Sequence, residues 1–343
     1  MSHISQIRFI YTSSNSGQGF CSFVPQLLAG CQKIFILDGP PGAGKSTFIR
    51  LLGEYLAKRG YEVEFWVSAE PGKGLDGAYL LQSKTALVNG YLPAGDQGHG
   101  AGKIEVINLN DFIESNAWLE KKNEIVQLQN RVKDQKEKAT AFLQKALHIQ
   151  IHQYSGQGYH MDKDQILSLT RNLVEDLTGS QVYEKHFFAS AISDEGMVNY
   201  IEEISLKCRV RYFLHGPEDG VKSEILKVLA GQLREKNYPV EYFHCGLNPE
   251  KLVMIIAGGI NAAFIDPGNL ELIRKPWDKV IDLGFPGTIN ETRPFEANIW
   301  QAQNWLQEAR AANQRIKRIV SPHVDFTGLQ KKREEIARII TMS

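Results

Sequence analysis

The chain matches itself when slid by 177 residues, without a gap, from Arg8 to Gly90. Sixteen of the 83 aligned positions are identical. Ser13, Ser16 and Gly19 fall on Ser190, Ser193 and Gly196. Gly39, Pro40, Lys45 and Ser46 fall on Gly216, Pro217, Lys222 and Ser223, and Tyr61, Val63 and Glu64 on Tyr238, Val240 and Glu241. Leu37, Leu52, Leu56 and Leu75 also meet leucines. The absence of gaps points to duplication of one architecture, and 343 residues leave room for about two domains. The expected division is 1–178 and 179–343, near Gly179.

The strongest local signal lies inside the repeat. Gly39-Pro40-Pro41-Gly42-Ala43-Gly44-Lys45-Ser46-Thr47 reads G-x-x-x-x-G-K-S-T, the Walker A pattern. It follows the apolar run Ile34-Phe35-Ile36-Leu37 and precedes a helix-like run from Thr47 to Arg59, the strand–loop–helix setting this pattern requires. The glycines let successive N–H groups converge on one phosphate, and the helix N-terminus adds partial positive charge. Lys45 is placed to reach the β- and γ-phosphates, and the Ser46 hydroxyl to ligate Mg²⁺. ATP with Mg²⁺ is the expected ligand pair, ATP being preferred over GTP only as the commoner choice.

Each half repeats one plan. A short strand (Ile7 to Tyr11; His186 to Ala189) leads a Ser/Gly-rich turn and a helix, followed by the phosphate-loop strand and its helix. The first such helix sets Phe48, Leu51, Leu52, Tyr55 and Leu56 at helical spacing, and Gly60 suits its C-terminal cap. Strands follow at Tyr61 to Val67, Thr85 to Val88 and Glu105 to Leu109, matched by Tyr238 to His244, Ala262 to Ile265 and Lys279 to Leu283. Alternating strands and helices predict an α/β fold of two tandem P-loop NTPase domains. Each would be a mostly parallel sheet flanked by helices with an appended helical hairpin. The hairpins are Asn116 to His152 with Asp162 to Leu177, broken at Ser155-Gly156-Gln157-Gly158, and Pro294 to Val320 with Thr327 to Ile340. They serve either as packing for the core or as a lid or protein-docking surface.

The two loops are not equivalent. In the second, Asp219 replaces Gly42 and Val221 replaces Gly44, so Glu218 and Asp219 set two carboxylates where a polyphosphate would lie. A vestigial second site is expected. The metal-side carboxylate shows the opposite pattern. Ala263-Phe264-Ile265-Asp266 ends in the customary acid, whereas Ala86-Leu87-Val88-Asn89 ends in an amide, each 44 residues after its own lysine. Lys45 and Asn89 are therefore the expected catalytic residues, with Asp76, Glu70 and Asp38 as candidates to supply the missing charge. Slow or partner-dependent hydrolysis follows.

Lys+Arg and Asp+Glu balance at 39 each, which gives no bulk electrostatic case for nucleic acid or membrane binding. No segment approaches roughly 18 uninterrupted apolar residues, and Met1 to Ile10 lacks the layout of a secretory leader. Cys21, Cys31, Cys208 and Cys245 form no C-x-x-C pair, so a reducing, cytoplasmic setting is expected. His148 and His152 are spaced i, i+4, with His160 nearby; a solvated or packed helix face competes there with metal binding. The loop Gly95 to Gly102 carries His99, either as a phosphate or substrate contact or as part of a linker. Ser13 to Gly19 and Ser190 to Gly196 read as helix caps or a nucleotide-edge contact. Trp277, Trp300 and Trp305 read as core or helix packing rather than base stacking.

The ordered set "I-F-I-L-D-G-P-P-G-A-G-K-S-T", "Y-E-V-E-F-W", "H-F-F-A-S-A" and "Y-P-V-E-Y-F-H-C", with the apolar strands before Asn89 and Asp266, resembles a poorly characterised group of bacterial tandem P-loop ATPases common in Gram-positive spore formers. The resemblance covers nearly the whole chain and implies ATP binding by a two-domain cytoplasmic protein. The leading expectation is an ATPase or nucleotide-dependent switch acting through the first domain, its hairpins reporting to a protein partner. The alternative is a small-molecule or nucleotide kinase transferring the γ-phosphoryl group.

Overall fold

Ile34-Phe35-Ile36-Leu37 can be apolar without alternation because it forms an inner strand buried on both faces. A computed structural model of the protein describes residues 7–90, 102–114, 120–155, 161, 163–174, 183–216, 220–268, 270–283 and 293–342. The first half contains β1 (Ile7–Tyr11), β2 (Ser13–Ser16), β3 (Gly19–Ser22), α1 (Val24–Leu27), β4 (Lys33–Asp38), α2 (Lys45–Ala57), β5 (Val63–Val67), β6 (Leu75–Leu80), β7 (Thr85–Asn89), β8 (Lys103–Asn108), α3 (Lys122–Ser155) and α4 (Lys163–Val174). The second contains β9 (Glu184–Phe188), β10 (Ser190–Ser193), β11 (Gly196–Asn199), α5 (Ile201–Ser205), β12 (Val210–His215), α6 (Val221–Glu235), β13 (Val240–His244), β14 (Leu252–Ala257), β15 (Ala262–Ile265), β16 (Lys279–Asp282), α7 (Arg293–Val320) and α8 (Phe326–Thr341). Strands β1 to β6 recur as β9 to β14 with identical bounds at the 177-residue offset. The division expected near Gly179 falls outside the described residues.

Twelve strands form one sheet in the order β16-β12-β15-β14-β13-β9-β1-β5-β6-β7-β4-β8. Six of its eleven pairings are parallel, so the fold is α/β with a large, mostly parallel sheet flanked by helices. β6 and β14 run against their neighbours and were not foreseen; in β6, Asp76 and Gly77 break the apolar pattern that marks a strand. The halves meet where β1 lies antiparallel to β9, with Tyr11 opposite Phe188. One apolar core runs across the junction on one face of the sheet, with Ile10, Ile36 and Trp66 from the first half and Phe187, Phe213 and Phe243 from the second. On the other face, Phe48, Ile49, Leu52 and Leu56 of α2 pack on Phe35, Leu37 and Phe65. Leu51 and Tyr55, expected on that buried stripe, are exposed.

A charged cluster holds the junction. Arg8 donates two hydrogen bonds to Glu241, both at 2.8 Å, and lies 3.4 Å from Glu64. Lys185, which aligns with Arg8, lies 3.7 Å from Glu64, which aligns with Glu241. The Ser/Gly-rich segments are not helix caps: they form the hairpins β2–β3 and β10–β11, which meet between the halves. Asn15 Nδ2 donates to Ile192 O at 2.7 Å, and Ser14 Oγ donates to Gly246 O at 2.9 Å while accepting from Ile192 N at 3.0 Å. These polar side chains are buried because each finds partners across the junction.

The long helices are exchanged between the halves. α3 and α7 run antiparallel, paired by Glu124 with Arg315 at 2.5 Å and Arg131 with Glu308 at 3.0 Å. α8 returns to the first half, where Leu329, Ile336, Ala337 and Ile340 join the α2 core. α4 does the converse, with Ile166 packing among Leu226, Leu229 and Leu233 of α6. Trp305 is partly buried, but Trp277 and Trp300 are exposed, contrary to the packing role expected of them. Among the described residues no helix is long and apolar enough to cross a membrane.

Replacing Arg8 with Met leaves the largely buried Glu241 without its bidentate partner. We expect a loss of about 2–4 kcal/mol by urea denaturation, the usual buried-pair cost reduced because Arg8 is partly exposed. Burial opposes ionisation of Glu241, but Arg8 outweighs it and holds the carboxyl below its ordinary 4.5. A depressed carboxylate stabilises above its unfolded value, so the difference between wild type and Arg8→Met should shrink as pH falls below 4.5.

Candidate functional site

Gly39 to Thr47 turn from the end of β4 into α2. Gly42 and Gly44 have φ of 97° and 91°, a region side chains disfavour. Gly42 has a second constraint: a methyl group added there would meet the Lys317 Cα of α7 at 2.9 Å. The loop borders a cavity of about 420 Å³. Pro40, Pro41, Gly42, Gly44, Lys45, Ser46, Thr47 and Asn89 line it; Gly39 shapes the turn and Ala43 is buried beneath it.

Lys45 Nζ donates to the carbonyls of Gly39 and Pro40, the latter at 3.0 Å, and has no carboxylate ion-pair partner among the described residues. Burial, and then the ammonium of Lys73, draw its pKa down to about 8. Ser46 Oγ donates to Lys73 O at 2.6 Å and accepts from Asn89 Nδ2 at 2.9 Å. Asn89 Nδ2 also donates to Leu75 O at 2.7 Å, which fixes the amide orientation, since the opposite one would face oxygen to oxygen. Asn89 Oδ1 is thereby left buried with no hydrogen-bond partner.

Of the acidic candidates, Glu70 lines the cavity, paired with Lys136 at 3.1 Å and Lys73 at 3.3 Å. Burial resists its ionisation, but these two ammonium groups outweigh it and hold the carboxyl below its usual range. Asp76 sits behind the cavity, accepting from Ser13 Oγ at 2.6 Å and lying 3.4 Å from Lys73. Asp38 ends β4 outside the lining. The rest of the lining had no sequence signal: Asn313, Lys317, Ser321 and Phe326 come from the far end of the chain. Their contribution requires the helix exchange, which no local pattern encodes.

The second loop is organised differently. Lys222 Nζ lies 2.7 Å from Asp266 Oδ1, and Lys251 Nζ 3.5 Å from Oδ2, with Lys222 and Asp266 both buried. Burial resists ionisation of Asp266, but Lys251 and Lys222 outweigh it and hold the carboxyl down. Ser223 Oγ accepts from Leu252 N at 2.9 Å, matching the Leu75 N to Ser46 Oγ contact at 3.4 Å in the first half. Residues 217–219, including the two carboxylates expected to repel phosphate, fall outside the described set. So do His99 and His160. His148 and His152 lie on α3, and among the described residues no group of three or more His, Cys, Asp or Glu is placed to hold a metal ion. All four cysteines are free thiols.

A 52-residue stretch, 15% of the chain, is 40% identical to the mouse protein "Methylmalonic aciduria type A homolog, mitochondrial". The matched part spans 12% of that relative's length. Neither a family model nor a solved structure matches the chain.

Two outcomes follow from the contrast between the loops. With the Lys45 pKa held down to about 8, binding of a polyphosphate, which favours the ammonium, should take up protons near that pH. Affinity should be level below pH 7 and decline above 8, measured by calorimetry in buffers of different ionisation enthalpy. Lys222→Met alone should lower stability by about 1–3 kcal/mol, because it removes the nearer cation from a buried carboxylate and leaves only Lys251 at 3.5 Å. Lys222→Met with Asp266→Leu should recover most of that loss in denaturant unfolding.

Proposed function

We propose that the chain binds a nucleoside triphosphate, ATP by preference, with Mg²⁺ at the Gly39–Thr47 loop, and acts as an ATPase or nucleotide-dependent switch through the first half. The observation that carries this reading is a cavity whose loop lysine is uncompensated, beside a buried amide oxygen that lacks a partner. Lys45 and the N–H groups of the loop would hold the β- and γ-phosphates. Ser46 Oγ would ligate Mg²⁺, and Asn89 Oδ1 would accept from a metal-bound water. The metal would supply charge neutralisation along the polyphosphate. Asn89 contributes no negative charge, and Glu70 is already shared between two lysines, so slow hydrolysis is the expected behaviour.

The second loop supports no such role. Its lysine is neutralised internally by Asp266, so an incoming phosphate would have to displace a buried ion pair. The resemblance to tandem P-loop ATPases supports ATP binding, and the contrast between Lys45 and Lys222 supports its restriction to the first half. Transfer of the γ-phosphoryl group to a small molecule remains a second chemistry for the same loop, and no acceptor-binding group in the cavity favours it.

Calorimetric titration of Mg²⁺-ATP should show one equivalent bound to wild type, none to Lys45→Ala, and one to the Lys222→Met/Asp266→Leu variant. Two equivalents for wild type, or binding that survives Lys45→Ala, would overturn the assignment.

A further inference from the structure

The cavity is not completed by the half that carries its loop. α7 lies along it and is tied to both of its walls. Ser321 Oγ, just past the end of α7, donates to Gly42 O at 3.0 Å, and Asn313 Nδ2 donates to Pro71 O at 3.0 Å. Between them, Lys317 Nζ donates to Gly72 O. Neighbouring Arg310 holds Asp194 at 2.7 Å, and Asp194 Oδ1 accepts from Gly72 N at 3.4 Å.

The cations around the cavity differ in what occupies them. Lys73 is shared by Glu70 and Asp76, and Lys136 is held by Glu70. Lys45 belongs to the loop itself and rests on its carbonyls. Lys317 faces a neutral backbone carbonyl, and the nearby carboxylate of Asp194 is engaged by Arg310. Burial, and then the charge of Arg310, depress the Lys317 pKa, against the opposing pull of Asp194.

We propose, resting on the nucleotide site assigned above, that Lys317 of α7 is the group that recognises the terminal phosphate, and that its ammonium leaves Gly72 O for a γ-phosphate oxygen when a triphosphate is bound. A diphosphate, ending one phosphate short, leaves Lys317 on Gly72. Triphosphate and diphosphate are thereby distinguished by a residue of the second half acting on the site of the first. Because α7 also grips Gly42 O through Ser321, the same movement changes how the second half is held against the loop.

The test compares Mg²⁺-ATP and Mg²⁺-ADP affinities in wild type, Lys317→Gln and Lys317→Arg. Wild type should prefer ATP. Lys317→Gln should lose about tenfold in ATP affinity, the scale of one charge-assisted hydrogen bond, while ADP affinity stays within about twofold. Lys317→Arg should restore the preference. An unchanged ATP-to-ADP ratio in Lys317→Gln would refute the role, and so would equal weakening of both nucleotides, which marks a merely structural contact. Wild type that binds neither nucleotide would instead overturn the site assignment on which the role stands.

Discussion

The junction between β1 and β9 is the constraint on which the rest of the structure depends. Only Tyr11 and Phe188 stand opposite each other there, so backbone pairing contributes little of the hold. The Arg8, Glu64, Lys185 and Glu241 cluster and the meeting hairpins supply it. Charges in such a setting align the halves more than they stabilise them, since their desolvation offsets much of their attraction. Once the halves are aligned, α3 and α7 can lie side by side, and α7 reaches the Gly39–Thr47 loop. A small error at the junction would be magnified along α7, whose 28 residues span roughly 42 Å.

The corresponding lysines, Lys45 and Lys222, sit in opposite electrostatic settings. In the second half, a carboxylate at the end of β15 consumes the lysine's charge and fills the position with a buried ion pair. In the first half, an amide in the equivalent place leaves that charge available to an anion. The exchange of Asp for Asn therefore reads less as loss of a metal ligand than as release of a lysine. Gly42 marks the same divergence sterically, because only a residue without a side chain admits both the positive φ and the close backbone of α7.

Much of the fold was legible because the repeat is gapless. Strand bounds in one half map onto the other, and the parallel pairs beside β4 follow from the phosphate-loop pattern. The antiparallel β6 was missed because Asp76 and Gly77 interrupt its apolar pattern, whereas β14, Leu252–Ala257, is apolar throughout and was missed with it because the second half was read by its match to the first. The serine-rich hairpins were misread because a buried polar run resembles a turn unless its partners are known, and those partners, Ile192 and Gly246, lie in the other half. At the site, Lys45, Ser46 and Asn89 were evident from spacing. Asn313, Lys317 and Phe326 were not, because their proximity follows from tertiary exchange rather than from local preference.

The contact between Ser321 and Gly42 closes a loop of 279 residues, and Lys317 meets Gly72 across 245. Contacts of such sequence separation form late, after the chain entropy of the intervening segment has been lost. The Gly39–Thr47 loop and its outer wall are thus supplied by segments far apart in sequence. Without α8, the apolar stripe of α2 that receives Leu329 and Ile336 would face water. A first half lacking α8 would therefore expose that stripe and be prone to association. The cavity itself exists only where α7 and the turn after it are in place, and without them the Gly39–Thr47 loop would lie open on that side.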